Sequence, residues 1–311
     1  MAAFVLGPPL AAPAQRVVAV RADNDAFNFW QLPWKRPDEE YTSGVRLTVT
    51  LDGAGAWAKR IAPLLGACRP ADAACASHTY SFGQDIFTAK RPKWQPIALP
   101  GGRPDAGILW FAARTRVTRP SDIAEAGWTL GVTGKPSLAE ASQRLIHALA
   151  PRYNRPIEWG EQVPAEPVFA VHYDRRRLLS AGTLVVQPHA GASLGTLLTE
   201  ARAGLSAQFE SGLPLPLPQR ISRLVGAVSV GLEGDATWRG VARNAMLSGT
   251  FFRSSPHVAL RPMVTELAAG VRLRWRVLDV SWLAHQTSAE HVGRSVPHTW
   301  STLELRWHPA R

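Results

Sequence analysis

Along most of this chain, apolar and polar residues alternate at every step. In SGVRLTVTL from residue 43, Val45, Leu47, Val49 and Leu51 face one way while Arg46, Thr48 and Thr50 face the other. A period of two is the mark of a strand with one apolar and one polar face. The same alternation predicts strands in RVVAVRAD from 16, HTYSFGQDIFT from 78, AGILWFAARTRVT from 106, AGWTLGVTG from 126, PVFAVHYDRR from 167 and GTLVVQPHAGASLG from 182. It continues in TEARAGLSAQFESG from 199, RLVGAVSVGLEGDATW from 223, ELAAGVRLRWRV from 266, DVSWLAHQTSA from 279 and HTWSTLELRWH from 298. The count is about twelve. An even number of long amphipathic strands, joined by Gly-containing turns with few helices between them, predicts an all-β, twelve-stranded antiparallel barrel.

One stretch breaks the pattern. SLAEASQRLIHAL, residues 137–149, reads as a helix: Ser137 stands as N-cap with Glu140 at the capping-box spacing and Pro136 just outside. Leu138, Ser142, Leu145 and Leu149 follow one stripe, and Glu140, Gln143 and His147 follow another. A helix that starts at the tip of a strand is expected over the barrel mouth, with one stripe aimed into it. A solvated polar face is the plainer reading of Gln143 and His147.

No run of about 18 apolar residues marks a membrane helix, so if the chain crosses a membrane it does so as a closed barrel. Trp110, Trp128, Trp238, Trp275, Trp282, Trp300 and Trp307 lie in or at the ends of strand candidates, as interfacial girdles would. A soluble barrel or sandwich with a Trp-rich core is the competing reading. With no repeat or linker visible, residues 16–311 read as a single barrel domain. Residues 1–15, MAAFVLGPPLAAPAQ, read as the remnant of a secretory signal, with small residues at Ala12 and Ala14 but no positive start.

Composition narrows the function. Hydrophobic residues at 46% against 19% charged exclude a disordered chain. The net charge of +11 rests on 30 Arg and 5 Lys, and the planar Arg fork suits phosphates, so an acidic lipid surface is a plausible partner. A nucleic-acid binder would gather its basic residues on one face with stacking aromatics; here the arginines are spread over the chain, and no nucleic-acid partner is expected. Cys68 and Cys75, in CRPADAAC, fit a disulfide of an oxidising compartment better than a metal site, with a pair of free thiols left open. There is no nucleotide loop and no zinc spacing. Ser43, Ser81 and Ser137 do not stand in a nucleophile elbow.

Polar clusters sit at the strand ends. ADNDAF places Asp23, Asn24 and Asp25 after the first strand, an oxygen-rich triplet able to ligate a hard cation, though such residues also simply end strands. EEYTSGVRL opens the second strand with Tyr41, Thr42 and Ser43, GGRPDAGILWF opens the fourth with Arg103, and EWGEQVPAEPV precedes the sixth. Taken in order with YSFGQDIFT, LGVTGKPSLAEASQRLIH and GVARNAMLSGTFF, these blocks resemble the outer-membrane lipid A 3'-O-deacylase family from about residue 17 to 307.

The resemblance implies a twelve-stranded barrel of the bacterial outer membrane that hydrolyses the 3'-linked acyloxyacyl ester of lipid A, with calcium as cofactor and lipopolysaccharide and outer-membrane lipids as partners. It implies His147 as catalytic histidine, Gln143 one turn before it, and Asn24 and Asp25 as catalytic residues and calcium ligands. Thr42 and Arg103 would bind substrate, and Lys90 or Arg91 could join Arg103 at the glucosamine phosphates. Glu140, Glu158 and Glu166 are alternatives for an active-site glutamate. This chain departs from the family pattern at Gly102, at Asp105 in place of an aromatic, in GKPS and in EWGEQ, which leaves acyl-chain and phosphate specificity open. Homodimerisation is left open too. A catalytically silent outer-membrane barrel, porin-like or structural, is the alternative reading.

Overall fold

The computed structural model describes residues 16–28, 40–53, 58–66, 76–91, 102–149, 158–214 and 228–309. Cys68, Cys75 and the segment read as a signal lie outside them. The strands are β1 (Arg16–Asn24), β2 (Glu40–Asp52), β3 (Ala76–Thr88), β4 (Ala106–Thr118), β5 (Asp122–Thr133), β6 (Pro167–Arg177), β7 (Leu179–Ala181), β8 (Leu184–Leu194), β9 (Leu198–Pro214), β10 (Val228–Asn244), β11 (Met263–Trp275), β12 (Leu278–Thr287) and β13 (His298–Trp307). Sequence neighbours other than β6 and β7 pair antiparallel, β1 pairs with β13, and β6 pairs with β8, which closes the sheet. β7 continues β6 beyond a break at Leu178 and pairs with the same strand β8. The barrel therefore has twelve staves, the number that the alternation predicts.

The barrel is apolar outside and polar within. Val45 and Leu47 are 54% and 48% exposed, and Phe82, Phe111, Leu130, Leu205, Leu232 and Leu303 are exposed with the same parity. The opposite parity fills the lumen with ion pairs: Arg114 and Arg116 to Glu125 (3.1 and 2.8 Å), Arg202 to Asp174 (2.6 Å), and Arg239 to Glu200 (2.7 Å). An exposed apolar wall around a charged interior is what a lipid solvent selects.

Parity also corrects the girdle expectation. Trp238 and Trp307 are exposed on the outer face. Trp110 and Trp300 instead point inward: Trp110 donates from Nε1 to Asp85 (2.7 Å), and Trp300 stacks against His285 and His298 with centroids 5.0 and 5.4 Å apart.

The strand termini bearing Asn24, Glu40, Thr88, Ala106, Thr133, Pro167, Asn244, Met263, Thr287 and His298 share one end of the barrel, opposite the end that holds Arg16 and Trp307. Among the described residues, the one long helix sits at the first end. Besides the short α1 (Ala58–Ile61) and α3 (Ala245–Ser248), this is α2 (Ala139–Leu149), entered through a 3-10 turn at Lys135–Ser137. The capping box does not form. Ser137 is wholly buried and donates its hydroxyl to Gly134 O (2.6 Å), while Leu138, at φ 59, accepts the first helical bond from Ser142 N (2.9 Å). Glu140 pairs instead with Arg144 one turn on (2.7 Å).

Candidate functional site

α2 does not cover the mouth; it lies against the outside of the wall. Its first turn meets Gly107 of β4 and Ile86 of β3, which carry the outward parity of Phe111 and Phe82. A Cβ on Gly107 would stand 2.1 Å from Ala139 Cβ and 2.6 Å from Ser137 Oγ, so only glycine lets the helix sit this close. Gln84, also outward, donates to Ser137 O (2.6 Å). Ile86, Ala139 and Trp159 form a small buried cluster in the seam.

Gln143 faces into that seam and is 4% exposed. The Trp159 indole donates to its Oε1 (2.7 Å). An indole N–H can only donate, which fixes the amide's orientation and leaves Nε2 as the other end. That Nε2 is buried with no hydrogen-bond partner among the described residues. His147, half-buried, follows one turn later. The leucine stripe points the other way: Leu138, Leu145 and Leu149 are 57%, 61% and 77% exposed.

The end of β1 joins the same outer face. Asn24 lies opposite Ser43 and Ser301, both of outward parity. Beyond it, the 3-10 turn Asp25–Phe27 folds back over β13, held by the buried Asn28, which donates to Thr299 O (3.0 Å) and accepts from the Ser301 hydroxyl (2.9 Å). Trp282 Nε1 donates to Phe27 O (3.3 Å). Asp25 is buried under this turn. α2 follows β5 in the chain and packs on the outward residues of β4 and β3.

Thr42 is the extra residue of a β-bulge between Tyr41 and Ser43. The bulge lets Tyr41 turn inward, to Asp23 (2.7 Å), while Ser43 turns outward. Thr42 is buried, with its hydroxyl 2.6 Å from that of Thr88.

Arg103, expected at the substrate, stands on the lumen side, buried over the Phe87 ring (4.9 Å), and donates to Glu40 (3.0 Å) and Met246 O (3.2 Å). Glu40 is the hub of this rim, since Arg294 and His291 also reach it, each at 3.2 Å. Arg91 is likewise engaged, with Asp105 (2.7 Å) and Glu158 O (2.9 Å). Asp105, which departs from the family pattern, thus anchors the β3–β4 connection; burial pushes its carboxyl above the usual range, against Arg91, which pulls it down. Lys90 stays exposed.

Of the three glutamates, Glu140 holds Arg144 and accepts from Gln162 (3.4 Å), and Glu158 is exposed. The Glu166 carboxylate accepts from the backbone of Phe251 (2.7 Å) and Phe252 (3.4 Å). Asn24 thus carries the outward parity of β1 and Gln143 lies in the seam of α2 with His147 one turn further along the helix, whereas Arg103 stands on the lumen side. Glu40, Gly107 and the Trp159 contact are additions: the sequence shows them only as members of EEYTSG, PDAG and EWGEQ, with no sign of what they touch.

The family model of the outer membrane protein LpxR matches residues 1–308. No curated protein matches the sequence. Among solved structures, LpxR from Salmonella typhimurium aligns with a TM-score of 0.72 at 15% identity, covering 94% of this chain and 100% of that one. The beta domain of the Bordetella autotransporter Brka aligns at 0.47 and 10% identity, covering 95% of this chain and 99% of that one. With a family match over nearly its whole length and a closed twelve-stave barrel, this outer-membrane protein belongs to the LpxR family.

Proposed function

We propose that this chain hydrolyses the 3'-linked acyloxyacyl ester of lipid A in the seam between α2 and the outer wall. The observation that carries the reading is the reversed helix, with Gln143 buried against the barrel and its leucines outside. A helix placed this way puts a polar seam beside the acyl chains of the outer leaflet, where a lipid ester can enter sideways. The ordered blocks of the family resemblance support the same substrate.

His147 acts as general base, its imidazole nitrogen accepting the proton. It takes a proton from water, and the water oxygen adds to the ester carbonyl. The tetrahedral intermediate then collapses, the bond from acyl carbon to sugar oxygen breaks, and the imidazole returns the proton to that oxygen. Gln143 Nε2, which has no acceptor among the described residues, donates a hydrogen bond to the water or the ester oxygen. Trp159 holds the amide in place for this.

Asn24 and Asp25 offer an amide oxygen and one carboxylate at a tight turn, and no group of three His, Cys, Asp or Glu gathers among the described residues. Hard oxygen donors with a single carboxylate suit calcium, which also takes carbonyls and waters, and do not suit zinc. Held by Asn24 and Asp25, calcium would polarise the ester carbonyl as a Lewis acid.

The test uses purified protein, lipid A and calcium in heavy-oxygen water. Water attack at the acyl carbon puts the heavy oxygen in the released fatty acid, and His147→Ala lowers the rate by roughly a hundredfold or more. Label in the sugar hydroxyl, or an active His147→Ala variant, would defeat the mechanism.

A further inference from the structure

A cleft of about 500 Å³ opens between the segment leading into and out of α2 and the β10–β11 connection, lined by Lys135, Glu161, Gln162, Pro164, Ala165 and Pro256 among others. Its walls are built rather than loose. Gly134, at φ 68, sits so close to the 164–165 backbone that a Cβ would stand 2.5 Å from Ala165 N. The Thr133 hydroxyl donates to Pro164 O (2.7 Å), and Asp105 bridges the strand-like piece around Gln162 through Asp105 N to Glu161 O (3.0 Å) and Val163 N to Asp105 O (2.9 Å). The far wall is tied to this one: Glu166 accepts from Phe251 and Phe252, and Arg253 donates to Ala165 O. Thr250 N to Ser255 Oγ (2.8 Å) then fixes the turn that carries Pro256.

Two charges face this fixed space without meeting. Lys135 and Glu161 are exposed, and neither side chain has an ion-pair or hydrogen-bond partner among the described residues. Prolines offer flat apolar faces for the C–H faces of a sugar ring, a carboxylate and an amide suit its hydroxyls, and a lysine suits an acidic substituent. The cleft also adjoins α2, because Gln162 Nε2 donates to Glu140 (3.4 Å). From Ala139 to His147 the helix rises about 12 Å, the length of a sugar or two.

We propose that this cleft is a second binding site, for an acidic sugar, and that it holds the saccharide part of the same lipid whose ester is cut beneath α2. The proposal rests on the deacylase reading, and the experiment separates the two. Lys135→Ala, Lys135→Arg and wild type are compared on lipid A alone and on lipid A carrying carboxylated sugars. Lys135→Ala raises KM about tenfold on the sugar-bearing lipid, at unchanged kcat, and leaves bare lipid A unaffected; Lys135→Arg recovers most of the loss. An equal rise on bare lipid A would assign Lys135 to the lipid A phosphate and overturn the sugar site, and unchanged KM on both would overturn it too. If wild type cleaves neither lipid, the deacylase reading fails, and binding of the free carboxylated sugar by saturation-transfer NMR decides the cleft. Transfer that is lost in Lys135→Ala upholds it, and no transfer to wild type sinks it.

Discussion

Gly107 has no side chain to contribute, and the seam depends on that. Ala139 Cβ and Ser137 Oγ occupy the space that a Cβ would need. Gly107→Leu therefore lifts α2 from the wall, and deacylation falls at least a hundredfold while the barrel keeps its heat-modifiable migration on gels, because the residue faces out of the sheet. A variant with full activity would show that the seam is not where the ester is cut. Trp159→Phe is milder: it removes one N–H donor, worth about 1 kcal/mol, from Gln143 Oε1, frees the amide to turn, and lowers kcat by about tenfold with little change in melting temperature. At this scale the sequence was partly legible. Asn24, Asp25, Gln143 and His147 stand in recognisable blocks, whereas Glu40 meets His291 and Arg294 across 251 and 254 positions, a pairing no local pattern can show. Arg103 was readable as a cation but not as one buried on the lumen side, since the side of the wall depends on strand parity at the rim.

For α2, the capping and periodicity signals located the helix within a residue or two, and the solvent reversed its orientation. A reader assuming water turns the leucine stripe toward the protein; a lipid bath leaves Leu138, Leu145 and Leu149 outside and presses Gln143 inward. Ser137 does not build the capping box because its hydroxyl closes the preceding turn on Gly134 (2.6 Å) and accepts only a long bond from Ala139 N (3.4 Å). The double substitution Leu145→Gln, Leu149→Gln tests the orientation. It lowers cleavage of lipid A in bilayer vesicles by roughly fivefold to twentyfold, through lost apolar contact with lipid, and leaves cleavage in detergent micelles near wild type. An equal loss in both media would mean that the stripe packs on protein. The bulge at Thr42 is a second such feature: one added residue in β2 turns Ser43 to the outer face, and nothing in the alternation of SGVRLTVTL announces it.

As a whole the molecule is a closed wall with a crowded interior and its candidate chemistry outside. Twelve staves were legible because every strand alternates. The break at Leu178, which divides one strand into β6 and β7, was not. The lumen carries Arg114, Arg116, Arg202, Arg239 and Arg272 paired with Glu125, Asp174, Glu200 and Glu233, side chains that fill the space an open pore would keep. Reconstituted in planar bilayers, the protein shows no steady single-channel conductance; regular porin-sized steps would favour the silent, porin-like alternative. The central claim, a lipid-facing ester hydrolase with His147 as its base, is met most directly by mass spectra of lipid A from outer membranes carrying wild type or His147→Ala, each with calcium or with a chelator. The account predicts loss of one 3'-linked acyloxyacyl group with wild type and calcium only. Intact lipid A in all four samples, with the barrel folded in each, would contradict it.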